Sequence, residues 1–260
     1  MKNDYIVVID SGIGGLSTLA ECVRNSRFNY YYIADNKNIP YGTHSQAEIQ
    51  QFLTEIITNL KKFCDFKIVI LACNTATTTS IEYLRKRFSN LVFIGTEPAI
   101  KLAYNLGCKN VLTLTTPATA TQNKFKNLIS SVNCNVKVLT IETLAKNIED
   151  FITQKSYFSY AKLLKNIMEI MHNSKGFDCV VLGCTHYVFL KKYLAKFTKI
   201  QLLDGNAGVQ KQLSKVSDSA GQICCDKFRI KLDNTLRQKR SKQIYKKILS
   251  QILANGEDLW

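Results

Sequence analysis

Residues 5–23 read YIVVIDSGIGGLSTLAECV, and this stretch sets the pattern for the rest of the chain. Residues 5–9 form a β-branched apolar run, which predicts a strand that ends at Asp10. Gly12, Gly14 and Gly15 follow as a turn, and residues 16–23 have the apolar spacing of a helix. The GxGG spacing differs from the GxGxxG fingerprint of dinucleotide-binding folds. The stretch therefore predicts a strand, a glycine turn and a helix.

Similar apolar runs recur along the chain, separated by segments with helical periodicity. Strands that alternate with helices are typical of parallel sheets covered by helices. In such sheets ligands bind at the carboxyl ends of the strands, so the residues after each run are the candidates for function. The further predicted strands cover residues 30–33, 68–71, 91–94, 111–114, 136–141, 179–182 and 200–203.

Two of these strands end in matching polar sequences. Ala72-Cys73-Asn74-Thr75 follows one strand, and Gly183-Cys184-Thr185-His186 follows the other. Each is preceded by an earlier strand with a polar turn, Asp10-Ser11-Gly12 in the first case and Thr116-Pro117-Ala118-Thr119 in the second. The repetition predicts an α/β protein of two similar halves, each carrying one thiol, with a boundary near residues 96–98.

The two cysteines indicate proton-transfer chemistry. A cysteine between a buried strand and a helix has its sulfur near backbone N–H groups, which favour the thiolate. One such cysteine predicts a nucleophile, with His186 or Asp10 as its base. Two in matched halves predict that Cys73 and Cys184 face each other across a cleft, one removing a proton from a carbon and the other delivering one to the opposite face. The result would be inversion at that carbon.

Such a reaction needs assistance for the thiols and for the carbanion. A thiol of ordinary pKa about 8.5 is only slightly ionised at neutral pH, so Asp10 and His186 are the candidates to adjust Cys73 and Cys184. The carbanion next to a carboxylate demands dense hydrogen-bond donation. Candidate donors at the ends of the strands are Ser11, Asn74, Thr75, Thr116, Thr119 and Thr185.

Composition limits the class of protein. The 260 residues are 46% hydrophobic, enough for a sizeable core. No apolar stretch reaches the roughly 18 residues of a membrane span, and residues 1–10 do not resemble a secretory leader, so we expect a cytoplasmic protein without a membrane partner. Nine cysteines without a zinc-type CxxC pair predict reduced thiols. Four of them lie beside apolar runs and are expected to be buried, namely Cys64, Cys108, Cys134 and Cys179.

The formal charge of +15 favours an anionic partner, which includes a dicarboxylate substrate, a nucleic acid or an acidic protein. Much of this charge lies in residues 229–247, which we interpret as the solvated face of a terminal helix. The same residues keep a nucleic-acid-binding or regulatory role open as an alternative that we do not favour. They are Lys231, Arg237, Lys239, Arg240, Lys242, Lys246 and Lys247.

Five motifs together resemble the series found in the cofactor-independent glutamate racemases of the aspartate/glutamate racemase family. They are IDSGIGGLSTL at 9–19, YIADNKNIPYG at 32–42, LACNTAT at 71–77, GTEPAIK at 95–101 and VLGCTHY at 181–187. The resemblance implies two pseudo-twofold-related α/β domains with the active site in the cleft between them. It places the first domain in residues 1–97 and 208–260 and the second in residues 98–207. It further implies no cofactor, and it is compatible with a homodimer.

The resemblance also assigns roles to individual residues. Cys73 and Cys184 would be the two bases, assisted by Asp10 and His186. Backbone N–H groups of the Pro40-Tyr41-Gly42 turn would bind a substrate carboxylate. The other residues that it implies for substrate binding are Asp10, Ser11, Asn74, Thr75, Thr116, Thr119, Glu149, Thr185 and His186.

The chain departs from the family pattern in two places. Val188 stands where the family usually has proline after GCTHY, and the proline-bearing segment before the family's glutamate reads Leu144-Ala145-Lys146-Asn147-Ile148 here. Glu149 could therefore be an ordinary exposed helical residue, and Asp35 could simply begin a turn.

The implied function is the interconversion of L- and D-glutamate, which supplies D-glutamate for peptidoglycan. Aspartate racemase is the close rival, but its second motif usually carries glutamate where His186 stands here.

Overall fold

The computed structural model describes residues 4–217, 228–236 and 238–255. Within these ranges the strands are β1 (Asp4–Asp10), β2 (Tyr30–Ala34), β3 (Asp65–Leu71), β4 (Val92–Gly95), β5 (Asn110–Thr115), β6 (Asn135–Thr140), β7 (Cys179–Leu182), β8 (Gln201–Leu203) and β9 (Ile230–Asn234). The helices are α1 (Gly15–Asn25), α2 (Gln46–Leu60), α3 (Asn74–Arg87), α4 (Ile100–Asn105), α5 (Pro117–Thr121), α6 (Asn123–Ser130), α7 (Leu144–Gln154), α8 (Tyr157–Asn173), α9 (Lys191–Leu194), α10 (Asn206–Ser217) and α11 (Lys239–Asn255). Short 3₁₀ turns cover Tyr41–Thr43 and Tyr187–Leu190.

The strands form two parallel sheets with the same internal order. The first sheet runs β4-β3-β1-β2-β9, and the second runs β8-β7-β5-β6. Every pairing in both sheets is parallel. Strands β3 and β7 therefore occupy equivalent places beside the central strands β1 and β5. The predicted α/β class with two similar domains is confirmed.

Both faces of the first sheet are covered, which explains the unbroken apolar run in β1. Ile6 and Val8 pack in the layer that contains α1, whereas Val7 and Ile9 pack in the layer that contains α2. A strand that is buried on both faces has no polar face, so its sequence does not alternate between apolar and polar residues. Burying each such side chain contributes about 1.5–3 kcal/mol.

The fifth strand of the first sheet, β9, comes from the C-terminal part of the chain and was not predicted. It pairs with β2 in register from Tyr30 opposite Ile230 to Ala34 opposite Asn234. Its sequence, IKLDN, mixes charged and apolar residues because it lies at the edge of the sheet and is only partly buried. The predicted domain limits at 97 and 208 stay a prediction.

Helix α11 packs through one apolar face onto the first half. Tyr245, Ile248, Leu249 and Ile252 are buried, as helical spacing requires. On the opposite face, the basic residues are exposed, except that Lys242 forms an ion pair of 2.9 Å with Asp233. The exposed basic residues are Lys239, Arg240, Lys246 and Lys247. Arg237 lies outside the described residues.

The cysteines of the described residues are free thiols. Cys64, Cys108 and Cys179 are buried as expected. The expectation was wrong for Cys134, which is only partly buried because it lies in the turn before β6. Cys224 and Cys225 lie outside the described residues. Among the described helices, none is long and apolar enough to cross a membrane.

Candidate active site

Both thiols line one cavity of about 210 Å³. Cys73 caps the N-terminus of α3 directly after β3, and Cys184 follows β7 at the equivalent place in the other sheet. Of the other predicted site residues, Ser11, Thr75, Thr116, Glu149 and His186 also line the cavity. The turn Pro40-Tyr41-Gly42 forms a further part of its wall. Asp10, Asn74, Thr119 and Thr185 are buried and are not among the cavity-lining residues.

The surroundings of the Cys73 sulfur favour its protonated form. Burial raises the pKa of Cys73 to about 12, and the nearby Asp10 adds to this effect. The Ala76 backbone N–H and the Ser11 hydroxyl, whose oxygen is 3.9 Å from the sulfur, act in the opposite direction. The sequence predicted that backbone N–H groups would favour the thiolate. The Ala76 N–H acts in this direction, but desolvation outweighs it, so the pKa of Cys73 is raised overall.

Cys184 lies beside a charge pair. Its sulfur is 3.9 Å from His186 Nδ1, and His186 Nε2 is 2.7 Å from Glu149 Oε2. Burial opposes protonation of His186, but its hydrogen bonds to Cys184 and Glu149 prevail and raise its pKa well above the usual value. A protonated His186 therefore presents positive charge to the Cys184 sulfur. Glu149 is only 14% exposed, so the exposed-helix interpretation of this residue was wrong.

Asp10 connects the two halves of the molecule. Its Oδ1 accepts a hydrogen bond of 2.8 Å from the Gly12 backbone, and its Oδ2 accepts one of 3.1 Å from the Thr185 hydroxyl. Burial raises its pKa, while His186 and these two donors oppose the rise. Thr185 thus supports Asp10 across the domain boundary.

The glycines after β1 allow the second half to approach the first. A Cβ added at Gly12 would lie 2.2 Å from Glu149 Oε2, and one added at Gly14 would lie 2.4 Å from Thr185 Oγ1. Real side chains do not approach so closely. These glycines therefore do more than form a tight turn, because they leave room for the residues that hold His186 and Asp10.

Three threonines form a second contact between the halves. Thr75 Oγ1 lies 3.1 Å from Thr116 Oγ1 and 3.2 Å from Thr119 Oγ1. The Thr116 hydroxyl also donates to that of Thr119 at 3.0 Å. Beside them, Asn74 Oδ1 is buried and has no hydrogen-bond partner among the described residues. Thr75 and Thr116 thus bring hydroxyl groups to the cavity wall, whereas Thr119 bonds them without lining the cavity.

Asp35 holds the predicted carboxylate-binding turn, Pro40-Tyr41-Gly42, through hydrogen bonds. Its carboxylate accepts hydrogen bonds of 2.9 Å from Asn38, 2.8 Å from the Tyr41 hydroxyl and 2.8 Å from the Thr235 hydroxyl. Asp35 is fully buried, so it does more than begin a turn. Thr235 follows β9, and because that strand was not predicted, this contact was not predicted either.

A profile of the Asp/Glu/Hydantoin racemase family matches residues 6–211, most of the chain. The chain belongs to this family. It is therefore an isomerase that acts as an amino-acid racemase.

Individual members of the racemase family match over nearly the whole length. The glutamate racemase of Clostridium acetobutylicum is 34% identical over 244 residues, covering 91% of this chain and 94% of the relative. The structure of the Escherichia coli glutamate racemase, solved with L-glutamate, aligns with a TM-score of 0.76 at 25% identity, covering 93% and 92% of the two chains. A glutamate racemase isoform from Bacillus anthracis aligns with a TM-score of 0.79 at 25% identity, covering 96% and 95%.

The racemase cavity has four described lining residues that the sequence analysis did not single out, namely Ile39, Ala145, Lys146 and Asp150. Ile39 adjoins the predicted carboxylate-binding turn. Helix α7 turns residues 145, 146, 149 and 150 toward the cavity, which is the spacing of one helical face. The position of Glu149 together with this spacing is a signal from which Lys146 and Asp150 could have been found.

Proposed function

We propose that this racemase interconverts L- and D-glutamate by two-base proton transfer between Cys73 and Cys184, without a cofactor. The observation that carries the proposal is that both thiols line one cavity from equivalent places in two similar sheets. The relatives that match the chain over most of its length are named glutamate racemases.

In the proposed reaction each cysteine works on one face of the α-carbon. A thiolate on one side accepts the α-proton, and the carbanion that remains takes a proton from the thiol on the other side. The C–H bond that breaks and the one that forms lie on opposite faces, so the product is the mirror image. The two sulfurs have then exchanged roles, and the reverse reaction starts from the other cysteine.

The two thiols differ in the charged groups that lie beside them. At pH 7, a pKa of about 12 places the cost of forming the Cys73 thiolate at roughly 7 kcal/mol. We infer that the substrate ammonium group, held beside Asp10 and Ser11, offsets the Asp10 charge and lowers this cost. At the other wall, protonated His186 stabilises negative charge on the Cys184 sulfur, and Glu149 keeps His186 protonated.

The carbanion needs donors that are in place before it forms. We propose that Asn74, Thr75 and Thr116 bind the α-carboxylate, where the negative charge grows during proton removal. The oxygens of Thr75 and Thr116 already lie 3.1 Å apart at the cavity wall, so both hydroxyls can rotate toward one carboxylate. The turn Pro40-Tyr41-Gly42 binds the distal carboxylate, and Asp35 holds that turn through the Tyr41 hydroxyl.

This activity would supply D-glutamate for peptidoglycan in the cytoplasm. We favour glutamate over aspartate as the substrate because the second motif carries His186 at the position where aspartate racemases usually carry a glutamate residue. His186 lies beside Cys184 and pairs with Glu149.

The test is to incubate the pure, chelator-dialysed protein with either enantiomer of glutamate and to follow the circular dichroism signal to zero. L-aspartate at the same concentration is the comparison. Activity that requires added pyridoxal phosphate or a metal, or a higher kcat/KM for aspartate, would overturn the proposal.

A further inference from the structure

The charges at the cavity leave a substrate carboxylate with few positive partners. Glu149 and Asp150 line the cavity and Asp10 lies behind it. The charge of His186 is already matched by Glu149 at 2.7 Å. Among the described lining residues, Lys146 is the sole lysine or arginine. Of the described lining residues, Lys146 is therefore the cation that can exchange its ion-pair partner for a carboxylate of the substrate.

Lys146 lies at the open rim of the cavity. Its side chain is 66% exposed, and its Nζ lies 3.0 Å from Asp150 Oδ2, one helical turn further along α7. Ala145 and Glu149 occupy the neighbouring row on the same helix. Helix α7 thus places Glu149 next to His186 and places Lys146 at the entrance of the cavity.

The Lys146–Asp150 pair is easily exchanged. An ion pair one helical turn apart on the surface contributes little to stability, so little is lost when the lysine changes partner. Asp150 keeps a hydrogen bond of 3.3 Å from Gln154 when Lys146 leaves. A substrate carboxylate offers Lys146 a similar charge closer to the enclosed part of the site, where screening by salt is weaker.

We propose that Lys146 captures the distal carboxylate of the incoming substrate at the entrance, before the Pro40-Tyr41-Gly42 turn binds it, with Asp150 as the internal competitor that holds the lysine until substrate arrives. This inference rests on the proposed function, because it assumes a dicarboxylate amino acid. Lys146 is then a determinant of specificity for dianionic substrates. It acts on binding and on the rate of capture, whereas Cys73 and Cys184 act on the α-carbon.

Two substitutions should change KM in opposite directions. Lys146→Met removes the charge and keeps the length of the side chain, and it should raise KM for glutamate about tenfold while kcat changes less than twofold. Asp150→Asn removes the competitor and should lower KM. Lys146→Arg keeps the charge and should stay within about threefold of wild type.

The matched control is Lys62→Met, which changes the net charge equally on an exposed lysine that hydrogen-bonds Asn59 and does not line the cavity. It should leave KM unchanged. The fall of kcat/KM with added salt should be steeper for wild type and Lys62→Met than for Lys146→Met. Equal thermal midpoints will show that the variants are folded.

An unchanged KM and salt dependence in Lys146→Met, with wild type racemising glutamate, would overturn the inference and reduce Lys146 to a surface ion pair. A rise in KM for Asp150→Asn would also contradict it. If wild type racemises no glutamate, the proposed function fails, and that outcome is separate from these.

Discussion

His186 Nε2 lies 2.7 Å from Glu149 Oε2, and the same carboxylate oxygen is 3.4 Å from the backbone nitrogen of Ile13 in the other half. This oxygen therefore contacts both the histidine beside Cys184 and the loop that follows β1. Any change at Glu149 acts on the protonation of His186 and on the contact between the domains.

Glu149→Gln should move the alkaline limb of the kcat/KM profile to lower pH. The Glu149 charge helps to raise the pKa of His186, so without it the imidazolium is lost at lower pH. We expect about a tenfold or greater loss at pH 8 and a smaller loss at pH 6. An alkaline limb that stays in place would show that His186 is not the group that titrates.

The same pair should appear in the pH dependence of stability. The folded-state pKa of His186 is raised, so its contribution is complete below the unfolded value of about 6.5 and is lost as the pH rises through the folded value. The difference in unfolding free energy between wild type and Glu149→Gln should therefore shrink toward alkaline pH. Urea unfolding at several pH values measures it.

Gly14→Ala should abolish most of the activity. Its Cβ would lie 2.4 Å from Thr185 Oγ1 and 2.7 Å from His186 Nδ1, so either the loop or the second domain must shift. The matched control is Gly208→Ala, whose Cβ meets nothing within 4 Å on α10. It should retain kcat/KM and gain about 0.5–1 kcal/mol of stability. Full activity in Gly14→Ala would contradict the close approach of the two halves.

Neither Cys73→Ser nor Cys184→Ser should racemise glutamate at more than a trace of the wild-type rate, because a hydroxyl is a far weaker acid than a thiol. Elimination from a β-substituted glutamate needs only one base. Each single mutant should therefore still eliminate from one enantiomer, and the two mutants should prefer opposite enantiomers. Racemisation by either Cys→Ala variant would exclude the two-base assignment.

Deuterated water gives an independent measurement on the wild type. Early product should carry deuterium at the α-carbon while the remaining substrate stays largely protiated, because the sulfur that accepts the proton is not the one that donates. Equal deuterium in both pools, measured by mass spectrometry at low conversion, would instead indicate one base that serves both faces.

Neutralising the exposed basic face of α11 should leave catalysis intact. Replacing Lys239, Arg240, Lys246 and Lys247 by glutamine should keep kcat/KM within about twofold, because the packing of α11 comes from its buried face. Ile248→Ala on that face should lower stability by about 2–5 kcal/mol. A tenfold loss of turnover in the folded glutamine variant would show that the charges help shape the site.

The sequence predicted the parts of this molecule that local patterns encode. Apolar runs located β1 to β8, and the equivalent polar sequences after β3 and β7 located Cys73 and Cys184. The strand β9 was missed because an edge strand is buried on fewer sides and mixes polar with apolar residues. Its neighbour Thr235, which binds Asp35, was missed with it.

Local sequence patterns also did not predict the electrostatic effects of residues that are distant along the chain. Position at a helix N-terminus predicted backbone N–H groups that favour the Cys73 thiolate, yet the pKa of this thiol depends more on its burial and on Asp10, and both follow from tertiary packing. Likewise, the close approach of Glu149 to Gly12 is a contact between distant parts of the chain. The glycine spacing alone could not distinguish it from a tight turn.

The pairing of β9 with β2 has a consequence for the order in which the chain folds during synthesis. Until residues 230–234 have left the ribosome, the aromatic strand YYYIA of β2 keeps five backbone positions without a neighbour on its outer side. An uncovered strand edge of this composition is a template for pairing with another chain. A nascent chain therefore passes through a stage in which its second sheet can be complete while its first sheet is still able to aggregate, and the pairing of residues 230–234 with β2 ends that risk.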